Sequence, residues 1–315
     1  MKELVKMYYD STTWCKALFF ISIILCVVLT VKLVKEPVPF SESVEGFETN
    51  QNFEIKMNDQ IYDSFYANIY DNLVFNEIKT EYEVGQIINT TTPTSESLIL
   101  DLGCGTGNTM HTFVQKGYSN IVGVDKSKDM IEKAIKKYPD YKFQIADIMN
   151  MEGFPYNDGT FTHILCLYFT VYYMKNKEKF FKNCFQLLQP GGFLVVHLVD
   201  RNRFDPILPP GNPFYIVSPQ SYSKERITQT NVDFNGFNYN ANFDLNKETN
   251  IATFEEKFKK KITNQVRVNK HTLYMEPIAQ TLQKAQEVGF ITHAIIDMMK
   301  CAYDYQYLYV LYKPF

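Results

Sequence analysis

The stretch from Leu98 to Asn108 constrains the fold of this chain most strongly. It consists of an apolar run that ends in Asp101, followed by three glycines at alternate positions and then by a segment of helical composition. Glycine lets the backbone turn sharply and lets a ligand lie against bare peptide. The pattern therefore predicts a buried strand that runs into a ligand-binding glycine loop and a helix.

Strand-like and helix-like segments alternate after residue 96, which predicts crossover units and a mainly parallel sheet. We expect strands over residues 97–102, 120–125, 141–146, 161–168 and 193–199, with helices over 108–116, 128–138 and 175–188. Segments 290–298 and 305–312 are close enough in the chain to pair as antiparallel neighbours, which would place a reversed strand at the end of the sheet.

Residues 201–265 interrupt this alternation with a proline-rich segment and short alternating runs, such as 234–243 and 251–258. They predict an antiparallel β insertion of three or four strands. Together with the helices before residue 95, this insertion is expected to cover the ligand site and to select the substrate. Its many aromatic side chains would form either a lid over the site or a hydrophobic underside.

The N-terminal 35 residues contain an uncharged run over 17–31, flanked by Lys16 and Lys32. We predict a single transmembrane helix over 17–34, a linker over 36–56 and a catalytic domain over 57–315. A cleaved signal peptide and a buried core helix are the alternatives. Topology stays open, although unpaired cysteines favour a cytosolic catalytic domain behind a single-pass anchor.

Composition argues against two classes of partner. The net charge is −3 and the sequence pI is about 6.0, so no basic field is available for binding nucleic acid. The six cysteines are scattered without any C-x-x-C pair, so neither a disulfide framework nor a metal site is predicted.

Acidic residues follow the first three predicted strands, at Asp101, Asp125 and Asp147. Ligands of open parallel sheets lie outside the carboxyl ends of the strands, and an acid at the end of the second strand suits the two hydroxyls of a ribose. A dinucleotide fold requires the spacing G-x-G-x-x-G, whereas this loop has G-x-G-x-G. The spacing thus disfavours a pyrophosphate-containing cofactor.

Four motifs in order now carry a family resemblance: D-L-G-C-G-T-G at 101–107, G-V-D at 123–125, A-D-I at 146–148 and L-x-P-G-G at 188–192. They resemble the motifs of the class I S-adenosylmethionine-dependent methyltransferases, in the branch that acts on small molecules. The resemblance implies an α/β fold with a Rossmann-like, doubly wound, seven-stranded sheet. It also implies S-adenosylmethionine as the cofactor.

The resemblance further implies roles for individual residues. Gly103 and Gly105 would line the methionine moiety, and Asp101 would order that region. Asp125 would hold the ribose hydroxyls, and Asp147 would accept a hydrogen bond from the adenine amino group. The complete set of predicted cofactor-binding residues is Asp101, Gly103, Cys104, Gly105, Gly107, Asp125, Met130, Asp147, Ile148 and Tyr168.

Two departures from the family pattern stand out. His163 occupies a place near the start of the fourth strand where an aspartate is common, and no N-P-P-Y or D-P-P-Y sequence follows that strand. The second departure argues against methylation of nucleic-acid bases or glutamine amides. If the acceptor must lose a proton, the candidate catalytic residues are Tyr168, His197 and His271.

The sequence thus predicts a membrane-tethered methyltransferase that transfers a methyl group in line to a small, amphipathic or lipid-like acceptor. An NAD-type oxidoreductase and a non-catalytic scaffold that binds the cofactor are the alternatives. Neither nucleic acid nor metal is expected as a partner.

Overall fold

A computed structural model describes residues 12–35, 53–208, 220 and 223–315, with the side chains of 27–35 left out. The chain divides into two compact units, Met1–Pro39 and Phe40–Phe315. Residues 36–52 of the predicted linker, and three aromatic residues of the predicted insertion at 214, 215 and 222, lie outside the described residues.

The first unit contains helix α1, Thr13–Lys35. No helix in the described part of the chain is long and apolar enough to cross a membrane. The span predicted over 17–34 is therefore not supported, and its residues 27–34 lie beyond the described side chains.

The second unit is built on two sheets. Its strands in chain order are β1 (Phe53–Met57), β2 (Ile99–Leu102), β3 (Ile121–Asp125), β4 (Lys142–Ile145), β5 (Phe161–Cys166), β6 (Leu188–Val199), β7 (Gln229–Asp233), β8 (Phe237–Asn246), β9 (Ile251–Lys260), β10 (Val266–Tyr274), β11 (Ile291–Asp297) and β12 (Gln306–Tyr312). Its helices are α2 (Ser64–Val74), α3 (Glu77–Thr91), α4 (Asn108–Gln115), α5 (Lys128–Lys137), α6 (Lys177–Leu187) and α7 (Ile278–Val288). Short 3-10 turns cover Asn58–Ile61, Thr170–Tyr173 and Met298–Cys301.

The first sheet has seven strands in the order β11-β12-β6-β5-β2-β3-β4. Strands β2 to β6 run parallel to one another, and β12 runs antiparallel to both β6 and β11. The predicted seven-stranded fold with a reversed strand is confirmed. The reversed strand lies inside the sheet, one position from the edge, because β11 pairs with its outer side.

Strand β2 lies at the centre of this sheet, between β3 and β5. All four of its residues are buried, and Leu100 is completely covered. Helices on both faces of a parallel sheet bury such a strand, which is why its sequence is continuously apolar up to Asp101. The central strand therefore carries the glycine loop on a rigid support.

Helix α5 begins as the sequence predicts. The Ser127 side chain accepts a hydrogen bond from the Met130 backbone nitrogen at 3.1 Å, which caps the helix. The cap fixes the chain just after the acid that ends β3.

The second sheet has the order β1-β10-β9-β8-β7 and is antiparallel except for the parallel pair β1–β10. It differs from the predicted insertion over 201–265 at both ends. Strand β10 extends it to Tyr274, and β1 comes from the segment predicted as a linker. Phe53 and Val266 are more than 200 residues apart in the chain, so no local sequence pattern predicts that they pair.

Aromatic residues of this second sheet divide between the two predicted roles. Phe234, Phe237 and Tyr239 are buried in the interior, where they pack around Phe258. Phe243, by contrast, lines a cavity at the edge of the first sheet. The sheet thus provides both a hydrophobic underside and part of a pocket wall.

Candidate cofactor and acceptor pockets

Three adjoining cavities lie at the carboxyl ends of β2, β3 and β5. The glycine-loop cleft, of about 700 Å³, is lined by residues that include Gly103, Gly105, Asp125, Met130, Asp147 and Ile148. The Asp101 pocket, of about 600 Å³, is lined by residues that include Lys79, Glu83, Asp101, Gly103, Gly105 and Tyr168. The aromatic pocket, of about 790 Å³, is lined by residues that include Tyr62, Tyr70, Tyr168, Tyr173, Phe243 and His271.

The glycine loop is shaped by hydrogen bonds to the neighbouring strand. The backbone nitrogens of Gly103 and Cys104 donate to the carbonyl of Val124 at 2.8 and 3.2 Å. Gly103 has φ +70°, and a Cβ there would lie 2.7 Å from Thr170 Cγ2. Only glycine fits this position, because both the backbone angle and the close approach exclude a side chain.

Asp125 is held in place by the loop that it faces. Its Oδ2 accepts from the Gly105 nitrogen at 3.1 Å, and its Oδ1 accepts from the Ser127 nitrogen at 2.9 Å. Burial raises the pKa of Asp125, against the effect of these hydrogen bonds. Each carboxylate oxygen retains a lone pair, so this group can accept from two hydroxyls of a ligand.

The surroundings of Asp101 disfavour the charged form of its carboxyl. It is 3% exposed, and its Oδ2 has no hydrogen-bond partner in the described part of the chain. Burial raises the pKa of Asp101 to about 7, and the charges of Asp125 and Glu83 add to the effect. A buried carboxylate with a free oxygen beside a pocket suits a cationic group of a ligand.

A buried ion pair stands across the Asp101 pocket. Lys79 Nζ lies 2.7 Å from Glu83 Oε1, and both residues are nearly fully buried on α3. The ammonium also lies 5.3 Å from the ring centroids of Tyr168 and Tyr303. The sequence did not predict this pair, because a lysine and a glutamate four residues apart in a helix usually lie on its solvent-exposed face.

The other predicted cofactor residues fall into two groups. Asp147, Ile148 and Met130 all line the glycine-loop cleft, whereas Cys104 lines the Asp101 pocket. Gly107 lines none of the three cavities, and a Cβ there would lie 2.7 Å from Phe143. Gly107 instead starts α4, with a φ of +83°.

Two of these residues have notable environments. Burial raises the pKa of the Cys104 thiol well above its ordinary value, so the thiol stays protonated. Tyr168, with φ +52°, lines both the Asp101 pocket and the aromatic pocket. It therefore lies where a cofactor site and an acceptor site would meet.

The two candidate histidines have different surroundings. His197 is completely buried, lines none of the three cavities, and its Nδ1 lies 2.5 Å from the carbonyl of Tyr168. Burial, helped by the charge of Lys79, lowers the pKa of His197 to about 3. His197 thus supports the backbone at Tyr168 and lies outside the linings of the three cavities.

His271 lines the aromatic pocket. Its Nδ1 lies 2.8 Å from the Tyr173 hydroxyl, and its Nε2 lies 2.8 Å from Glu256 Oε2. Glu256 was missed from the sequence, although the alternation in β9 points it inward between Phe254 and Phe258. An acid at an inward position of an alternating strand was the available signal.

His163, at the place where an aspartate is common, stands apart from the site. It is 4% exposed, and its Nδ1 lies 2.8 Å from the Thr162 hydroxyl. Burial lowers the pKa of His163 to about 4, so it is neutral in the core of the sheet. In the ranges that the structure covers, no group of three His, Cys, Asp or Glu side chains is arranged to hold a metal ion.

Comparisons with known proteins bear on this arrangement. Residues 99–192 match the family described as a methyltransferase domain. A dTDP-4-amino-2,3,4,6-tetradeoxy-D-glucose N,N-dimethyltransferase of Saccharopolyspora spinosa is 35% identical over 118 residues, which cover 36% of this chain and 45% of that protein. The chain spans about half the length of the first curated relatives that it matches.

Solved structures share the fold. A methyltransferase of Streptomyces caelestis superimposes with a TM-score of 0.62 at 14% identity, over 82% of this chain and all of that one. An S-adenosylmethionine-dependent methyltransferase of Clostridium acetobutylicum gives 0.60 at 16% identity, over 79% and 98%.

A Rossmann-like sheet with acidic residues and a glycine loop at its strand ends is typical of proteins that bind nucleoside-containing ligands. The family match restricts this class to methyltransferases. Residues 99–192 match a methyltransferase domain, and the chain is similar to the class I S-adenosylmethionine-dependent methyltransferases, as its four motifs indicate. The cofactor class expected from the sequence is that of this family.

Proposed function

We propose that the chain binds S-adenosylmethionine in the glycine-loop cleft and the Asp101 pocket, and methylates a small molecule held in the aromatic pocket. The observation that carries the proposal is the wall that the cleft and the aromatic pocket share, formed by Tyr62, Tyr70, Thr170 and Tyr173. A ligand in one cavity therefore lies next to a ligand in the other. The cofactor, when bound, supplies a methyl group already activated on a sulfonium.

The residues present fit this cofactor. The free Oδ2 of Asp101 suits a cationic amino group, and the carboxylate of Asp125 suits ribose hydroxyls. The bare backbone at Gly103 leaves room for a ligand that a Cβ would fill. The protein's own contribution is then to align the acceptor, and alignment can lower the activation barrier by up to ~7–11 kcal/mol.

For the acceptor, we propose an amino compound with a sugar or other ring. Two of the curated relatives are named as N,N-dimethyltransferases of amino sugars. The aromatic pocket supports this class, because tyrosine and phenylalanine faces pack on rings and attract amines. An amphipathic or lipid-like acceptor is the alternative.

Binding of S-adenosylhomocysteine, measured by calorimetry, tests the cofactor half of the proposal. We expect Asp125→Asn to weaken binding about 10- to 100-fold, because hydrogen bonds to a charged group are worth ~1.5–3 kcal/mol each. Asp140→Asn is the matched control, since Asp140 is exposed and lines none of the three cavities. Equal affinity in both variants, or preferential binding of NAD, would refute the cofactor assignment.

A panel of acceptors tests the other half. Amino sugar nucleotides, simple amines, carboxylic acids and quinols are incubated with the full chain and S-adenosylmethionine, and release of S-adenosylhomocysteine is measured. We expect turnover with amines first. Binding of the cofactor without turnover of any acceptor would favour the non-catalytic scaffold.

Membrane attachment is a separate proposal that rests on the sequence alone. We propose a single-pass anchor with a cytosolic catalytic domain, because the run over 17–31 is uncharged between Lys16 and Lys32. Carbonate extraction of cells that express the full chain, followed by protease protection, tests it. Recovery in the soluble fraction would reject the anchor.

A further inference from the structure

We infer that Tyr173, His271 and Glu256 form a relay that takes a proton from the acceptor in the aromatic pocket. The inference rests on the proposed function and deepens it, because it restricts the acceptor to a molecule that methylates at nitrogen or oxygen and must lose a proton there.

The hydrogen bonds of the relay fix its direction. A carboxylate only accepts, so the 2.8 Å contact with Glu256 Oε2 places the imidazole proton on Nε2 of His271. Nδ1 then carries a lone pair and accepts from the Tyr173 hydroxyl at 2.8 Å. The Tyr173 oxygen accepts from the Tyr62 hydroxyl with one lone pair and keeps the other to accept a proton.

The position of Tyr173 connects the relay to the reacting groups. Tyr173 lines both the glycine-loop cleft and the aromatic pocket, whereas His271 lines the aromatic pocket only. The tyrosine ends the 3-10 turn after β5, and the histidine comes from β10 of the second sheet. Both sheets therefore contribute to the relay at their junction.

The charges around the relay suit an imidazolium. Burial alone would raise the pKa of Glu256, but hydrogen bonds from His271, Tyr239 and Asn269 outweigh it and hold the pKa below its ordinary value. The nearby Arg267 forms its ion pair with Asp63, because its guanidinium lies 2.7 Å from Asp63 Oδ2. The buried carboxylate is thus placed to stabilise a positive charge on His271.

Aromatic rings pack around the relay, and beside them the charge of the Asp59 carboxylate acts on Tyr173. The ring centroids of Tyr62, just before α2, and Tyr66, on α2, lie 6.1 and 6.0 Å from that of His271, and the ring centroid of Phe254 on β9 lies at 5.6 Å. Burial raises the pKa of Tyr173, so its phenol stays protonated until a proton reaches it.

The proton movement balances without a further reactant. As the acceptor nitrogen or oxygen uses its lone pair to form the new bond to carbon, its proton passes to the Tyr173 oxygen. The hydroxyl proton of Tyr173 passes to Nδ1 of His271, and the resulting imidazolium is held by the Glu256 carboxylate. The tyrosine ends as it began, and His271 later returns the proton to solvent.

Nuclear magnetic resonance of the full chain, labelled with ¹⁵N-histidine and loaded with S-adenosylhomocysteine, tests the direction of the relay. The signal of His271 among the five histidines is assigned by its loss in His271→Asn. We expect the proton of the resting imidazole on Nε2, which faces Glu256. A proton on Nδ1, or a permanent imidazolium, would overturn the relay because His271 then has no lone pair for Tyr173.

A probe molecule tests proton acceptance itself. p-Nitrophenol is added to the loaded protein below the pH at which the free phenol ionises, and the yellow phenolate is measured by absorbance. We expect a phenolate band with the native chain and its loss in His271→Asn and Tyr173→Phe. His293→Asn, which removes an exposed histidine on β11, should retain the band.

The absence of a phenolate band in the native chain, or its survival in His271→Asn, would refute the relay. Affinity for S-adenosylhomocysteine is measured for His271→Asn and His293→Asn, whose residues lie outside the glycine-loop cleft, and should change less than about twofold. This control separates the two hypotheses, because failure of the proposed function abolishes cofactor binding in the native chain, whereas failure of the relay leaves it intact.

Discussion

Replacing Asp101 with asparagine tests the reasoning about the cofactor site most directly. The native carboxyl is buried with a free Oδ2, and burial raises its pKa to about 7. The ordinary value of an aspartate in an unfolded chain is ~3.9. Asp101→Asn retains the shape of the side chain and removes both its charge and its titration.

The sign of the effect on stability follows from linkage. Between about pH 4 and pH 7 the folded chain holds a proton on Asp101 that the unfolded chain releases, so stability from this group falls as pH rises. Three pH units at ~1.4 kcal/mol each give a loss of about 4 kcal/mol by pH 8. We expect Asp101→Asn without cofactor to be more stable than the native chain at about pH 8, with the difference shrinking towards about pH 4.

Binding gives a second, independent measurement. A cationic group beside Asp101 lowers the pKa of its carboxyl, so at about pH 7 the native chain should release up to about half a proton for each S-adenosylhomocysteine bound. Calorimetry in buffers of different ionisation enthalpy measures this release. Asp101→Asn should lose it and bind more weakly. Equal proton release by both chains, together with parallel loss of stability on raising the pH, would refute the account of this carboxyl.

Two further predictions concern the backbone and the core. Gly103→Ala should lower the free energy of unfolding by about 1–3 kcal/mol and weaken binding of S-adenosylhomocysteine, because the new Cβ meets Thr170 at a positive φ. Gly85→Ala is the control, because Gly85 lies in a helix with open space around the added Cβ, and its free energy of unfolding should rise by about 1 kcal/mol. Urea unfolding measures the stability of both variants. His163→Asn should make the free energy of unfolding less sensitive to acid. Because the pKa of His163 in the folded chain is about 4, only the unfolded chain takes up this proton as the pH falls from ~6.5, which lowers stability by about 3 kcal/mol. Urea unfolding of both chains at about pH 7 and pH 4.5 measures the difference in stability between the two pH values. Equal acid sensitivity of the native chain and His163→Asn would contradict it.

The parts of the site that are local in sequence were the predictable ones. The glycine loop, Asp125 and Asp147 each follow a strand directly, and the position of a residue after a parallel strand fixes its place at the sheet edge. Their contacts with a cofactor stay a prediction. The seven-stranded sheet followed from the same alternation of strands and helices.

The parts that depend on distant pairing were not predictable. His197 and His271 both lie at inward positions of strands, and only the packing of the second sheet puts one at a pocket and the other in the core. Glu256 reaches His271 through the register of β9 against β10, which no spacing in the sequence encodes. The Lys79–Glu83 pair is buried only because α3 packs beside the glycine loop.

The pairing of β1 with β10 has a consequence for how the molecule matures. Closing a loop of more than 200 residues costs conformational entropy, so we expect this contact to form after the local contacts of the first sheet. The strand that carries His271 gains its outer neighbour only at that stage. A newly made chain can therefore assemble its glycine loop before the second sheet, which carries part of the wall of the aromatic pocket, gains its outer strand.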